Sequence, residues 1–263
     1  MDEPPAITLA AVTLEGDGGA KILRGVNLEI AKGECLALIG RSGAGKSSAL
    51  RTINGLVIPT SGEVIVEGRS IASLREAERV SLRRRIGYVI QRVGLLPHLD
   101  VAQNVGLVLR LIRWRPDAIA ARVDEVLTLV GLDPQRFRAR SPSALSGGEQ
   151  QRVGVARALA ASPSIVLMDE PFAAVDPLQR GELQRDVDAL RRRLGATVVL
   201  VTHDVREAIV MADRIALIDE GKVAVVGTPR ELLEADHPVA RAYEASLSSA
   251  DEAIAAKLSR PAP

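Results

Sequence analysis

Gly40-Arg41-Ser42-Gly43-Ala44-Gly45-Lys46-Ser47 is the stretch that decides how this chain is read. It follows an apolar run, residues 35–39, and precedes a helical pattern that begins at Lys46. That order is strand, glycine-rich turn, helix. Glycines at 40, 43 and 45 let the backbone wrap so that several N–H groups converge on one hollow. The helix that follows aims its positive end at the same hollow. Lys46 adds a full charge for the β and γ phosphates, and the Ser47 hydroxyl suits Mg²⁺. With Arg41, Ser42, Ala44 and Ser48 completing its contact set, the stretch predicts a nucleoside triphosphate site.

Working outward, the 263 residues are 47% apolar, enough for one sizeable α/β domain with a small inserted or appended one. Net charge is +1, so no global field argues for nucleic acid. Aromatic residues make up 2%, which counts against base-stacking platforms. The single cysteine, Cys35, lies in a predicted buried strand. It excludes an intramolecular disulfide and fits a reducing compartment. The N-terminus is acidic and proline-broken, unlike a signal peptide. No apolar run approaches the ~20 residues that cross a bilayer. The chain is expected to be soluble by itself, with any membrane role coming through a partner.

Before the phosphate loop, Ile7-Thr8-Leu9 and Val26-Asn27-Leu28-Glu29-Ile30 alternate as strands, with glycine turns between them. After it, the helix runs to about Asn54 and stops at Gly55. A short strand lies in 63–67, a charged helix in 75–85 and another strand in 86–91. Residues 100–144 change character. Val101, Val105, Val108, Leu109 and Ile112 recur at helical spacing, as do Ile119, Val123, Val126, Leu127 and Val130. This predicts an insertion of two or three helices over 100–144; from 146 the α/β pattern resumes with a helix at 147–161, and the helical subdomain is taken as about 100–160. Residues 164–168 and 197–201 are continuous apolar strands of the kind buried on both faces. Asp176-Pro177 opens a helix ending at Gly195, residues 204–211 form a short helix, and 214–226 a hairpin turning at Glu220-Gly221. Thr228 to Glu231 is a capping box for a last helix. Residues 241–263 are a C-terminal tail, expected to be loosely ordered beyond about 246.

Two further motifs carry chemistry. Ile165-Val166-Leu167-Met168-Asp169-Glu170 is a buried strand delivering two carboxylates at its carboxyl end, where open parallel sheets bind ligands. Asp169 is placed to hold Mg²⁺, and Glu170 to polarise an attacking water. Leu145-Ser146-Gly147-Gly148-Glu149-Gln150-Gln151-Arg152 is a second anion site. Ser146 and Glu149 form a capping box, and two glycines leave the helix end bare. Two phosphate-binding helix ends for one nucleotide invite a dimer in which each subunit's second site closes on the other's γ-phosphate.

The phosphate loop, Gln91, the 145–150 stretch, Asp169-Glu170, Asp176 and His203 occur in the order and rough spacing of ABC transporter ATPases, and the resemblance covers about residues 7–240. It implies an α/β fold: a phosphate-loop NTPase core with an antiparallel β subdomain and an inserted helical subdomain, in an ATPase domain of about 6–240. It also implies a head-to-tail homodimer, or a heterodimer with a paralogue. By this resemblance Gln91 touches Mg²⁺ and the water, His203 holds the γ-phosphate, and Asp176 acts across the dimer interface. Two departures stand out. The family usually has an aromatic residue near position 16 to stack on adenine, whereas this chain has Val12-Thr13-Leu14-Glu15-Gly16. Glu149 stands where Gln is commoner.

Finer detail is similar to the ATPases of bacterial osmoprotectant importers for glycine betaine, choline or carnitine, the alternative being the ATPase of an ABC system for another solute, such as an amino acid, or for lipid. It rests on Ile86-Gly87-Tyr88-Val89-Ile90-Gln91, Val93-Gly94-Leu95-Leu96-Pro97-His98 and Leu111-Ile112-Arg113-Trp114. The resemblance implies ATP and Mg²⁺ as cofactors and a place on the cytoplasmic face of the inner membrane. It implies a transmembrane permease contacted through 92–99 (Arg92 to Leu99), and an extracytoplasmic solute-binding protein served indirectly. A C-terminal regulatory domain, carried by some members, is expected to be absent. A soluble ABC protein acting on DNA or the ribosome would carry a long coiled-coil insertion or tandem cassettes. A GTPase would carry the Asn-Lys-x-Asp stretch, and neither is present.

Overall fold

The computed structural model describes residues 3–16, 18–91 and 94–247. A four-stranded antiparallel sheet, in the order β2-β1-β4-β5, is made of β1 (Ile7–Glu15), β2 (Lys21–Ile30), β4 (Ser61–Val66) and β5 (Arg69–Ser70). The second sheet runs β10-β9-β3-β8-β7-β6. Its strands are β3 (Cys35–Ile39), β6 (Ile86–Val89), β7 (Ile165–Asp169), β8 (Thr197–Val201), β9 (Arg214–Asp219) and β10 (Lys222–Gly227). All neighbours in it are parallel except β9 and β10, the predicted hairpin.

The continuous apolar runs have a simple cause. In β3, Cys35, Ala37 and Ile39 face one core while Leu36 and Leu38 face another. Strands β7 and β8 divide the same way, with Val166, Met168, Val198 and Leu200 on the first side. A strand's side chains alternate, so a strand buried on both faces must be apolar at every position. The second core lies between this sheet, the antiparallel sheet and α1 (Lys46–Ile53). The helix α2 (Glu76–Arg83) contributes Leu82 to it.

The first core lies under the helices. Between β6 and β7 the described residues form α3 (Val101–Val105), α4 (Leu107–Leu111), α5 (Pro116–Leu129), α6 (Pro134–Phe137) and α7 (Gly147–Leu159). Val101, Val105, Leu109, Ile119, Val123, Val126 and Leu127 are buried as their spacing predicts. Ile112 departs from the pattern. It is 37% exposed, beside exposed Leu111 and Trp114, because α4 stops at Leu111. The helix expected over the first apolar repeat is broken at Gly106, where an added Cβ would lie 2.9 Å from Cγ2 of Ile119. Further along the chain lie α8 (Pro177–Leu194), α9 (Val205–Met211) and α10 (Pro229–Leu233).

Other bounds shift modestly. The first hairpin is longer than its alternating cores suggest. A bulge with Ala11 at φ 49° has its N–H bonded to Asn27 Oδ1 and lets the pairing continue. Strand β6 ends at Val89, so Gln91 leaves the sheet. Residues 238–247 are helical, with Tyr243 and Leu247 packed on the first core. The tail beyond them, expected to be loose, lies outside the described residues.

Candidate nucleotide site

The phosphate loop leaves β3 at the carboxyl edge of the parallel sheet and enters α1. Gly40 has φ 145°, and a Cβ there would sit 2.0 Å from the carbonyl of Ile218. Gly45 has φ 102°, with an added Cβ 2.8 Å from the carbonyl of Ile22. Both positions exclude a side chain, and the tight wrap follows. Lys46 is 8% exposed, and its Nζ donates to the carbonyls of Gly40 at 2.9 Å and Arg41 at 3.0 Å. Burial pushes its ammonium below the usual lysine range, against the pull of Glu170 and Asp169.

Strand β7 sits two places from β3, with β8 between. This brings its carboxyl end to the loop. Ser47 Oγ donates to Asp169 Oδ1 at 2.8 Å. Burial pushes the Asp169 carboxyl above its ordinary range, while Ser47, Arg51 and Lys46 oppose. Glu170 adopts φ 49°, with its N–H bonded to the carbonyl of Val201 at 2.9 Å. Its carboxylate is flanked on both sides. Gln91 Nε2 donates to Oε2 at 2.9 Å, and His203 Nδ1 lies 3.3 Å from Oε1.

These groups line one cavity of about 500 Å³, with Ser42, Gly43, Gly45, Lys46, Ser47, Ser48, Gln91, Glu170 and His203 on its walls. Ile22 is its one aliphatic wall residue with a large side chain. Sequence reasoning missed Ile22. The signal was present as an apolar residue at the start of β2, but only the hairpin's curl over the loop makes it a wall. A Cβ on Gly16 would lie 3.0 Å from Ile22 Cδ1, so Ile22 holds the space beside the position that lacks an aromatic. Arg51 was also missed, as was Tyr88 near it; Arg51 lies in the electrostatic environment of both Tyr88 and Asp169.

Ser146, Gly147, Gly148, Glu149 and Asp176 are not among the residues lining this cavity. The predicted capping box is formed: Ser146 N–H donates to Glu149 Oε2 at 2.7 Å, and Glu149 N–H to Ser146 Oγ at 3.3 Å. The first of these bonds holds the Glu149 carboxyl below the usual range. Glu149 thus serves the box where Gln is commoner. Ser146, Gly147 and Asp176 are exposed, so α7 presents a bare helix end to solvent. Asp176 opens α8, its carbonyl accepting from Gln179 and Arg180. Arg92 and Val93 lie outside the described residues.

A glycine-rich loop between a parallel strand and a helix, with a carboxylate strand end against its serine, defines a phosphate-loop nucleoside triphosphatase. The comparisons narrow the class. The ABC transporter family pattern matches residues 23–173. A glycine betaine/carnitine/choline transport ATP-binding protein of Bacillus subtilis is 47% identical over 82% of this chain and 56% of its own length. The ATP-binding protein of a glycine betaine uptake system of Escherichia coli is 49% identical over 82% of this chain and 69% of its own. A dimeric ATP-binding cassette solved with ADP and Pi superposes with a TM-score of 0.79, at 36% identity, over 85% of this chain and all but 1% of that one. The chain belongs to the ABC transporter family, and its fold is that of the ATP-binding cassette. It spans 56% of the length of the Bacillus subtilis relative.

Proposed function

We propose that this chain is the ATP-hydrolysing subunit of a bacterial importer that takes up a quaternary-amine osmoprotectant such as glycine betaine, choline or carnitine. The observation that carries the hydrolytic part is the convergence of Lys46, Ser47, Gln91, Glu170 and His203 on one cavity. The solute class rests on the two osmoprotectant relatives, near half identical over 82% of the chain.

In this reading the loop N–H groups and the α1 N-terminus cradle the phosphates, and Lys46 turns from the Gly40 and Arg41 carbonyls to the β and γ phosphates. The hydroxyl and carboxylate oxygens of Ser47 and Asp169, 2.8 Å apart, suit Mg²⁺, with Gln91 a further oxygen donor. Bound there, the ion would neutralise phosphate charge. Glu170 accepts a proton from the attacking water, and His203 donates to the γ-phosphate. Gln91 and His203 both leave Glu170 to do so. Ser146, Gly147, Gly148 and Glu149 of a second copy close over the γ-phosphate, with Asp176 at the interface, as a head-to-tail homodimer or paralogous heterodimer. The ATPase domain is taken as 6–240, with 100–160 as its helical subdomain.

A cytoplasmic, peripheral place at the inner membrane follows from the permease partner. No helix among the described residues is long and apolar enough to cross a membrane. The permease contact is assigned to 92–99; a groove of about 310 Å³, lined by Trp114, Arg110, Gln103 and Ile119 among others, is a further exposed feature of the helical subdomain. Trp114 is exposed, as are Leu111 and Ile112 close to it in sequence. The test is reconstitution with permease and solute-binding protein in liposomes, reading ATP hydrolysis with glycine betaine, choline or carnitine. Stimulation by one of them, absent in Glu170→Gln, is expected. Hydrolysis indifferent to all three would overturn the solute assignment and leave the ATPase.

A further inference from the structure

Glu207 lies on α9, four residues after His203, and is 6% exposed. A carboxylate that deep is costly unless bonded. Its Oε2 accepts from Thr202 Oγ1 at 2.7 Å, and the same hydroxyl accepts the N–H of Asp204 at 3.0 Å. The two bonds grip the residues on either side of His203. Thr202 is 1% exposed, whereas the His203 side chain is 67% exposed. The imidazole is therefore exposed beside Glu170 on a fixed base.

Arg180 closes the cluster from α8. Its guanidinium lies 3.6 Å from Asp204 Oδ2 and 3.7 Å from Glu207 Oε1, and donates to the carbonyl of Val175 at 3.4 Å. The N–H of Arg180 donates to the carbonyl of Asp176 at 2.8 Å. One side chain thus ties the His203 loop to the segment that enters α8 at Asp176. A cavity of about 60 Å³, walled by Glu170, Ala173, Arg180, Thr202, His203 and Glu207 among others, lies between this cluster and the carboxylate of Glu170. Neither Glu207 nor Arg180 is among the residues lining the nucleotide cavity.

We propose that Glu207 and Arg180 are positioning residues for hydrolysis: through Thr202 and Asp204 they hold His203 in register with Glu170 and with the segment carrying Asp176. The inference rests on reading the chain as an ATPase. Glu207 acts by accepting the Thr202 hydroxyl, so a neutral acceptor of the same shape serves as well.

Steady-state ATP hydrolysis by the purified full-length chain tests it. Glu207→Ala is expected to lower kcat about tenfold with KM for ATP within about twofold, since the phosphate loop and Lys46 are untouched. Glu207→Gln, which keeps the acceptor, stays within about threefold of wild type. Thr202→Val, which breaks the same bridge at nearly constant volume, repeats the loss and carries the test if Glu207→Ala fails to fold. In a His203→Ala background Glu207→Ala causes no further loss, because its route is already gone. Multiplying losses in that background, an unchanged kcat in both Glu207→Ala and Thr202→Val, or a raised KM at constant kcat would overturn the proposal. A wild-type chain that hydrolyses no ATP would instead overturn the ATPase reading.

Discussion

Lys46 shows how much one residue's setting matters. Its Nζ is bonded to two carbonyls of its own loop, in a pocket that disfavours its charge. A phosphate oxygen is a far stronger partner than a carbonyl for a buried ammonium. Lys46→Ala is expected to weaken ATP binding about 10- to 100-fold, as read by titration with a fluorescent analogue. Cys35 makes the opposite point, since it does nothing in the mechanism. Burial pushes its thiol up to about 12, with Arg191 opposing and Asp213 adding. A folded-state pKa above the unfolded one gives stability that is present below the unfolded value, near 9.0, and lost as pH rises toward the folded one. Wild type should lose up to about 1.4 kcal/mol per pH unit in that window from this group, and Cys35→Ala should lack that slope. Urea midpoints between pH 8 and 10.5 check it.

At the scale of elements, the two ends of α7 do different work. At its carboxyl end Arg122, 9% exposed, donates to the carbonyls of Ala160 at 2.9 Å and Leu159 at 3.0 Å and to Ser162 Oγ at 2.8 Å. It satisfies carbonyls that the helix leaves unpaired and places a cation at the negative end of the dipole. Arg122→Ala is expected to cost about 3 kcal/mol in denaturant unfolding while ATP binding holds. At the amino end Ser146→Ala removes an N-cap, costing about 1 kcal/mol. Its effect on hydrolysis should be much larger, a fall of about 100-fold, because the exposed serine is assigned to the partner's γ-phosphate. Both ends were legible as α7 itself: the capping box lies within four residues of sequence. Arg122 was not, since it comes from α5, 37 and 38 residues from the carbonyls it caps.

For the molecule as a whole, the nucleotide cavity and the bare end of α7 are separate features of one chain. In the head-to-tail dimer proposed above, a second copy would bring them together. Glu170→Gln is expected to elute as a dimer with ATP and as a monomer with ADP in size-exclusion chromatography. A monomer in both would overturn the composite site. The solved relative with ADP and Pi is itself dimeric, at 36% identity.

Local conformation was readable from residues alone. Glycine spacing set the phosphate loop, because backbone conformation at 40 and 45 is a property of those residues and their neighbours. Continuous apolar runs named β7 and β8 as buried on both faces, because side-chain alternation leaves no other place for them; the run 35–39 marked β3 only as a buried strand. Tertiary structure alone decided which strand ends meet. The order β10-β9-β3-β8-β7-β6 brings Ser47 against Asp169, 122 residues apart, and Gln91 against Glu170, 79 apart. It also decided that Ile22 walls the cavity and that Arg180 reaches Asp204 and Glu207. Periodicity records which face of an element is buried and is silent on its neighbour; pairing order depends on packing the whole chain at once.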